Sequence, residues 1–447
     1  TITAITKANP GVITCSSHDY LTGDEINISS IVGMTELNNK RFLVVKIDAN
    51  TFSLTDVDGV AINTTNFTTY GSAGTMNRVF QITTTYTTAE IFDLKFAQSA
   101  DVMYITHPNH QTRKLSRTGH TTWTLAAVEF TNGPFLDTNV STTTLTPASA
   151  GVGTGVNVTA SAVAGVNGGS GFLTTDVGRQ IRIGDGYGII TARTNTTVVV
   201  VTVTTAFANT NANTDWSLGA FSTTTGFPSC VSFFEQRLVF AASINNPQTV
   251  YFSKSGDYEN MDANIGGTVA DDDAIIYTIA SNQVNAIRFM SSARTLIIGT
   301  AGGEFVVSGG GDNNAVTPTN IMIKKQSNHG AANVDAISVG NATLFLQRAK
   351  RKIRELAYNF DVDGYIAPDL TILAEHITEG NVVEMAYQEE PLAIIWCVRG
   401  DGQLIALTYQ REQEVVAWHR HIIGGSFGTG NAVVESVAVI PTEDSEY

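Results

Sequence analysis

The chain has 447 residues and a formal net charge of −15, with 43 % hydrophobic and only 15 % charged residues. That hydrophobic share excludes wholesale disorder, and so acidic a balance on so few charges excludes a general surface that wraps nucleic acid. No run of about 18 apolar residues occurs, so no transmembrane helix is encoded. Thr1-Ile2-Thr3-Ala4 offers neither a basic n-region nor an apolar h-region, and no initiator Met. The chain stops at Thr442-Glu443-Asp444-Ser445-Glu446-Tyr447 straight after an apolar run, so a segment of a longer polypeptide is expected. Cys15, Cys230 and Cys397 are far apart and lack CxxC spacing. They are expected to be buried free thiols, made in a reducing cytoplasm, and suit neither a disulfide framework nor a zinc site.

Thr, Val, Ile and aromatic residues dominate, punctuated by Gly, Asn and Asp every 8–12 residues or so, the pattern of an all-β chain. Residues 1–80 read as a small β-barrel-like module. Its strand candidates are Val12-Ile13-Thr14-Cys15, Glu25-Ile26-Asn27-Ile28, Arg41-Phe42-Leu43-Val44-Val45 and Thr51-Phe52-Ser53-Leu54, with turn chemistry between them. Residues 81–136 read as a first blade, opened by one short helical turn within Thr87 to Phe96. Residues 137–227 read as a Thr/Gly/Ala-rich β insertion. Thr138 to Thr175 holds no charged residue and few large apolar ones, so this stretch is expected to bury little by itself and to dock on a neighbour.

The remainder, 228–447, repeats one shape. Ile394-Ile395-Trp396-Cys397-Val398, an Asp401-Gly402 turn, Leu404-Ile405-Ala406-Leu407-Thr408-Tyr409 and Val415-Val416-Ala417-Trp418 spell strand, hairpin, strand, turn, strand. Similar runs begin at Asp101, Arg237, Thr295 and Thr343, about 40–55 residues apart, the period of β-propeller blades. Blade-like units are therefore expected at about 86–135, 228–262, 280–325, 334–372 and 381–423, with another starting at Val433 and left incomplete at the C-terminus. The fold class is all-β, a β-propeller-like body with small β-barrel or β-sandwich insertions; a chain of sandwiches is the rival.

Motifs for chemistry are sparse. Gly302-Gly303-Glu304 and Gly309-Gly310-Gly311 lack the Lys-Ser/Thr of a phosphate loop and read as turns. Asp56-Val57-Asp58-Gly59, Asp361-Val362-Asp363-Gly364 and Asp271-Asp272-Asp273 lack the spacing of a calcium loop and read as turns too. His419 and His421 share one side of a strand, without an identifiable third metal ligand. No catalytic, cofactor-binding or metal residue is assigned. The basic cluster Arg348, Lys350, Arg351, Lys352 and Arg354 is the one candidate site, read either as a phosphate-contacting patch on a DNA path or as a solvated hairpin or interface that pairs with acidic neighbours.

Several stretches carry a family likeness: Phe234-Glu235-Gln236-Arg237-Leu238-Val239-Phe240, Pro247 through Tyr258, Gly303-Glu304-Phe305, Arg354-Glu355-Leu356-Ala357-Tyr358, and Asp401-Gly402 through Tyr409 to Ala417-Trp418-His419. With Gln98-Ser99-Ala100-Asp101-Val102 and Gly133-Pro134-Phe135, they resemble the tail nozzle proteins of short-tailed phages, the tail tubular protein B group, over about two-thirds of the chain. Met34-Thr35-Glu36-Leu37-Asn38 and Ile47 through Leu54 make the first 80 residues similar to the first catalytic cysteine half-domain of ubiquitin-activating enzymes. No adenylation domain accompanies it, so ubiquitin chemistry is not implied, and the module is read as an appendage. The nozzle resemblance implies a hexameric homo-oligomeric ring in the virion tail, assembled in the host cytoplasm. It would carry a DNA exit channel, an adaptor protein above it and fibres or spikes around it, with no catalysis, no cofactor and no membrane span. The alternative is a host-surface glycan-binding or glycan-cleaving tail protein.

Overall fold

The computed structural model describes residues 1–280, 285–311, 314–427 and 430–441. Thr1–Thr85 with Gly119–Thr121 form one compact unit, and Tyr86–Thr118 with the chain from Thr122 onward form the other.

The first unit is a six-stranded antiparallel sheet: β1 (Ala4–Ile5), β2 (Val12–Thr14), β3 (Glu25–Val32), β4 (Lys40–Lys46), β5 (Thr51–Thr55) and β6 (Ser72–Arg78), in the order β1-β2-β5-β4-β3-β6. Alternation along the strands supplies its core. Ile26 and Ile28 of β3, Phe42 and Val44 of β4, and Phe52 and Leu54 of β5 are all buried against Ile13 and Leu37.

The second unit opens with blade one: β7 (Lys95–Ser99), β8 (Val102–His107), β9 (His110–Gly119) and β10 (Thr122–Ala127), a four-stranded meander. The chain then leaves to build β11 (Leu145–Pro147), β12 (Gly153–Ala160), β13 (Gln180–Ile183), β14 (Gly186–Arg193), β15 (Val198–Thr205) and β16 (Trp216–Leu218). Their order is β11-β12-β15-β14-β13-β16, the same topology as the N-terminal sheet strand for strand.

The likeness extends to individual hydrogen bonds. Before β3, the Gly23 N–H donates to Val44 O and the Val44 N–H to Asp24 O; before β13, the Gly178 N–H donates to Ile190 O and the Ile190 N–H to Arg179 O. Gly23 has φ +95° and Gly178 φ +89°, a backbone region that only glycine enters without cost. Between β4 and β5, Oδ1 of Asp48 accepts from the N–H groups of Asn50 and Thr51 at 2.7 and 2.8 Å. Between β14 and β15, Oδ1 of Asn195 accepts from Thr197 and Val198 at 2.8 and 2.9 Å. The register agrees as well, with Lys46 opposite Phe52 and Arg193 opposite Val199. The chain therefore carries one six-stranded module twice.

This corrects the expectation that the charge-free stretch buries little. Leu145, Val156, Val158, Val166 and Phe172 are buried in one core with Ile181, Ile190, Val201 and Trp216. The few apolar residues of this Thr/Gly-rich segment fall two apart on β12, so Val156, Val158 and Ala160 face inward while Asn157 and Thr159 face out.

Four more four-stranded antiparallel meanders follow. Blade two is Cys230–Phe234, Arg237–Ala241, Thr249–Phe252 and Ile275–Thr278. Blade three is Ile287–Ser292, Leu296–Thr300, Gly303–Ser308 and Met322–Ser327. Blade four is Ile337–Val339, Ala342–Leu346, Ile353–Asn359 and Gly364–Ile366. Blade five is Val382–Gln388, Ile394–Arg399, Leu404–Gln410 and Val415–His421. Buried apolar clusters join successive blades: Tyr104 with Val231 and Phe240, Phe252 with Leu296 and Phe305, Phe289 with Phe345, and Leu346 with Ile395 and Leu407. Among the described residues, no such cluster joins blade five to blade one. The fold is all-β, with a propeller-like body.

The blade expected from Val433 is not formed among the described residues. Past blade five, Ser426–Phe427 pairs with Gly430–Asn431, and the chain then lies on blade five, where the Val434 N–H bonds Gly402 O and the Val437 N–H bonds Glu384. The expected Thr442 to Tyr447 terminus lies outside the described residues. Cys15, Cys230 and Cys397 are buried free thiols, and burial pushes the last two above the usual thiol range.

Candidate functional site

In each blade the second and third strands join at the same end of the body, where the chain also enters the next blade. The Phe227 N–H donates to Pro108 O, the Arg348 N–H to Gly330 O, the Val382 N–H to Lys350 O, and the Gly400 N–H to Asn381 O. This end gathers the candidate chemistry.

The basic cluster sits on the blade-four hairpin, residues 347–352, at this end. Arg348 and Arg351 are exposed, and Lys350 occupies the turn with φ +61°. The other two cations are engaged. Lys352 Nζ lies 2.7 Å from Asp369 and 3.0 Å from Glu375, and bonds to Asp369 and then Glu375 raise its pKa. Burial alone would raise the Asp369 carboxyl, but bonds from Lys352 and from the Thr371 side chain and backbone hold it below the usual range. Arg354 donates to Gln347 Oε1 at 2.8 Å and to Ala367 O at 2.7 Å. At the tip, Arg348 reaches Ala301 O at 3.5 Å, and Lys350 and Arg351 sit beside it.

Lys95 on β7 is buried and ion-paired with Asp335 at the entry to blade four, and Asn333 beside it reaches Asp93 at 3.5 Å.

His419 and His421 share one side of blade five as expected, but they bond one another at 2.7 Å, and His419 also meets Thr408 at 3.0 Å. Burial, then the neighbouring His421, lowers the His419 pKa. The aspartate motifs are turns: Asp56 Oδ1 accepts from Asp58 and Val60, Asp273 pairs with Lys254, and the carbonyls of Asp271 and Asp273 receive Arg237.

The sequence reading passed over one constellation, Glu90, His107 and His110. A two-residue Pro108-Asn109 turn makes His107 and His110 cross-strand partners at the end of β8 and the start of β9. Such partners stand side by side on one face of a sheet. Glu90 is brought in by a turn in which its Oε2 accepts from the Thr87 N–H and hydroxyl at 2.9 and 2.8 Å, and its Oε1 lies 2.9 Å from His110 Nε2. The Thr87 backbone bond, then His110, pulls the Glu90 carboxyl down to about 2. His107 is buried, and burial, then His110, lowers its pKa. His110 also lines a cleft of about 390 Å³ between blade one and the second module, with Gln111, Phe130, Gln180 and Phe221. The sequence signal was the spelling His-Pro-Asn-His, two imidazoles flanking a hairpin turn.

Residues 8–79 match the domain family described as the ubiquitin-activating enzyme E1 FCCH domain. Over 82 residues the chain is 35 % identical to ubiquitin-like modifier-activating enzyme 1 of Oryctolagus cuniculus and 34 % identical to that of Homo sapiens. In each case 17 % of this chain matches 7 % of the relative, so the chain spans a small fraction of the curated relatives' length. Among solved structures, the Pan2 WD40 domain of Neurospora crassa aligns with 73 % of this chain and 78 % of its own, at TM-score 0.31 and 9 % identity. Hsv2p of Kluyveromyces lactis aligns with 88 % of this chain and 97 % of its own, at TM-score 0.29 and 9 % identity. At such scores the fold rests on the blades themselves. The N-terminal module is similar to the FCCH domain, and the body is propeller-like.

Proposed function

We propose that the chain is a structural subunit of a tail nozzle ring of a short-tailed phage, giving the genome an exit channel and the adaptor and fibres a docking surface. The supporting observation is the pair of terminal blades. Among the described residues, five blades share four buried interfaces, and apolar residues are exposed on both terminal blades. Phe92, just before β7, and Phe96 on β7 are 62 % and 51 % exposed; Val416 on the last strand of blade five and Ile422 just after it are 45 % and 94 % exposed. Different surfaces on the two ends suit a head-to-tail contact, which closes into a ring when the rotation is right. In this reading the DNA path runs through the ring that the subunits enclose.

The acidic balance fits passage, since carboxylates in a lumen repel phosphate and leave the duplex free to slide. The tip of the basic hairpin, Arg348, Lys350 and Arg351, then acts either as an intermittent phosphate contact or as an interface to an acidic neighbour. The two copies of the six-stranded module act as appendages. In this reading the protein is not an enzyme, works in the virion tail and is assembled in the host cytoplasm. The glycan-directed alternative draws less support from the tryptophans. Trp216 is buried, and the indole N–H groups of Trp396 and Trp418 are bonded to Gln388 and Leu370. Light scattering of the purified chain under assembly-permissive salt tests the proposal. A six-subunit mass supports it, and a monomer at every concentration overturns it.

A further inference from the structure

We propose that Glu90, His107 and His110 form a binding site for a divalent transition-metal ion of the zinc type. Their ligand atoms all lie within 4.8 Å of one another. Ligand atoms on a tetrahedral zinc, bound at about 2.0–2.2 Å, sit roughly 3.3–3.5 Å apart. His110 Nε2 and Glu90 Oε1 are already at 2.9 Å. Closing the set therefore needs side-chain rotations, and at His107 the release of Nδ1 from the Asn109 N–H. His110 and Glu90 keep 24 % and 23 % of their side-chain surface exposed and have room for them.

Two features make the set more than an ion pair. The two imidazoles are fixed by backbone register, because the cross-strand pairing of His107 with His110 leaves the rings 5.0 Å apart. The carboxylate is oriented in advance: Thr87 holds Oε2 by two bonds, leaving Oε1 toward the imidazoles. His107 Nδ1 accepts from the Asn109 N–H at 3.2 Å, which places the ring proton on Nε2, so metal binding at His107 must displace this bond. The Tyr86 ring stands edge-on to His110 at 5.2 Å, and its buried hydroxyl has no hydrogen-bond partner.

Two imidazoles and one carboxylate favour Zn²⁺, Ni²⁺ or Cu²⁺ over the hard cations Mg²⁺ and Ca²⁺, which prefer oxygen shells. Three protein ligands leave a fourth position for water or for a donor from outside. Because His110 lines the cleft between blade one and the second module, an ion here would tie the Tyr86–Glu90 segment to the β8–β9 hairpin at the edge of that cleft.

The test uses the full chain, stripped with chelator and titrated calorimetrically with ZnCl₂, with MgCl₂ and CaCl₂ as controls. The expected result is one zinc per chain, no comparable uptake of Mg²⁺ or Ca²⁺, and a higher Tm with zinc. His110→Ala is expected to weaken zinc binding at least about 100-fold and Glu90→Gln at least about 10-fold, since losing a ligand costs no less than losing an outer-shell partner, which costs about 10- to 100-fold. Circular dichroism of each metal-free variant confirms folding. As a second readout, the visible spectrum of the Co²⁺-loaded protein should report nitrogen–oxygen ligation and vanish in His107→Ala. No zinc uptake by the parent chain would overturn the site. So would uptake that survives His110→Ala but is lost in His419→Ala.

Discussion

Arg179 and Asp176 form an ion pair closed to solvent: Nη1 lies 2.9 Å from Oδ1, and neither side chain has exposed surface. The pair sits where the second module returns to the body. Arg179 also donates to Gly219 O at 2.7 Å and to Asn167 Oδ1 at 2.8 Å, while Asp176 accepts from the Leu173 N–H, Asn167 and Thr224, each at 2.7 Å.

The two partners are therefore not equivalent. Without Arg179, the carboxylate keeps three donors; without Asp176, a buried guanidinium keeps only neutral acceptors, and its Nη2 already has no partner. Asp176→Ala is expected to cost about 3–5 kcal/mol, and Arg179→Met clearly less. Urea unfolding of both variants checks the order. Equal losses would show that the carboxylate's neutral donors contribute nothing.

The repeated module makes a paired prediction. A Cβ at Gly23 or at Gly178 would meet nothing within 4 Å, so the positive φ alone sets the cost of substitution. Gly23→Ala and Gly178→Ala are each expected to lower stability by about 1–2 kcal/mol, and by similar amounts. Thermal unfolding that separates the two modules would measure both.

Glu304 titrates against folding. Burial raises its carboxyl, and bonds from Ser327 and from the His329 and Gly330 backbone only partly oppose this; its Oε1 is buried without a partner. A folded carboxyl above its unfolded value of 4.5 means that the folded state holds its proton longer. Stability is thus lost as pH rises from about 4.5 through the raised value, and then levels off. Glu304→Gln should flatten that decline and be neutral or stabilising at pH 7, as read from urea midpoints at pH 4.5, 5.5 and 7.

Asp369 has the opposite sign. Its carboxyl is held below 3.8 in the folded chain, so it contributes stability above about pH 3.8 that is lost as pH falls further. Lys352→Met removes one of the bonds that lower it, and the acid-unfolding midpoint should move to higher pH. An acid titration by circular dichroism checks the shift, with Arg351→Ala expected to leave the midpoint in place.

What was legible in the sequence follows from physical range. Strand, hairpin and strand are local features, so the triplet around Asp401-Gly402 was readable and so was the blade period. The basic cluster was readable because all five cations lie within seven consecutive residues, on one hairpin and the strand that leaves it. Its partners Asp369 and Glu375 come from the next segment and were not assigned to it. The second module was missed as a copy because the two share backbone hydrogen bonds and little sequence: Asp48 and Asn195 make the same turn with different side chains. Glu90 meets His107 and His110 only once the β8–β9 register is set, which no local pattern encodes.

Single-particle imaging of the assembled protein tests the nozzle account most directly. The account predicts a closed ring of six subunits around an open channel, with blade five of one subunit against blade one of the next. Particles with no channel, or a closed ring whose contacts leave Phe96 and Ile422 in solvent, would contradict it.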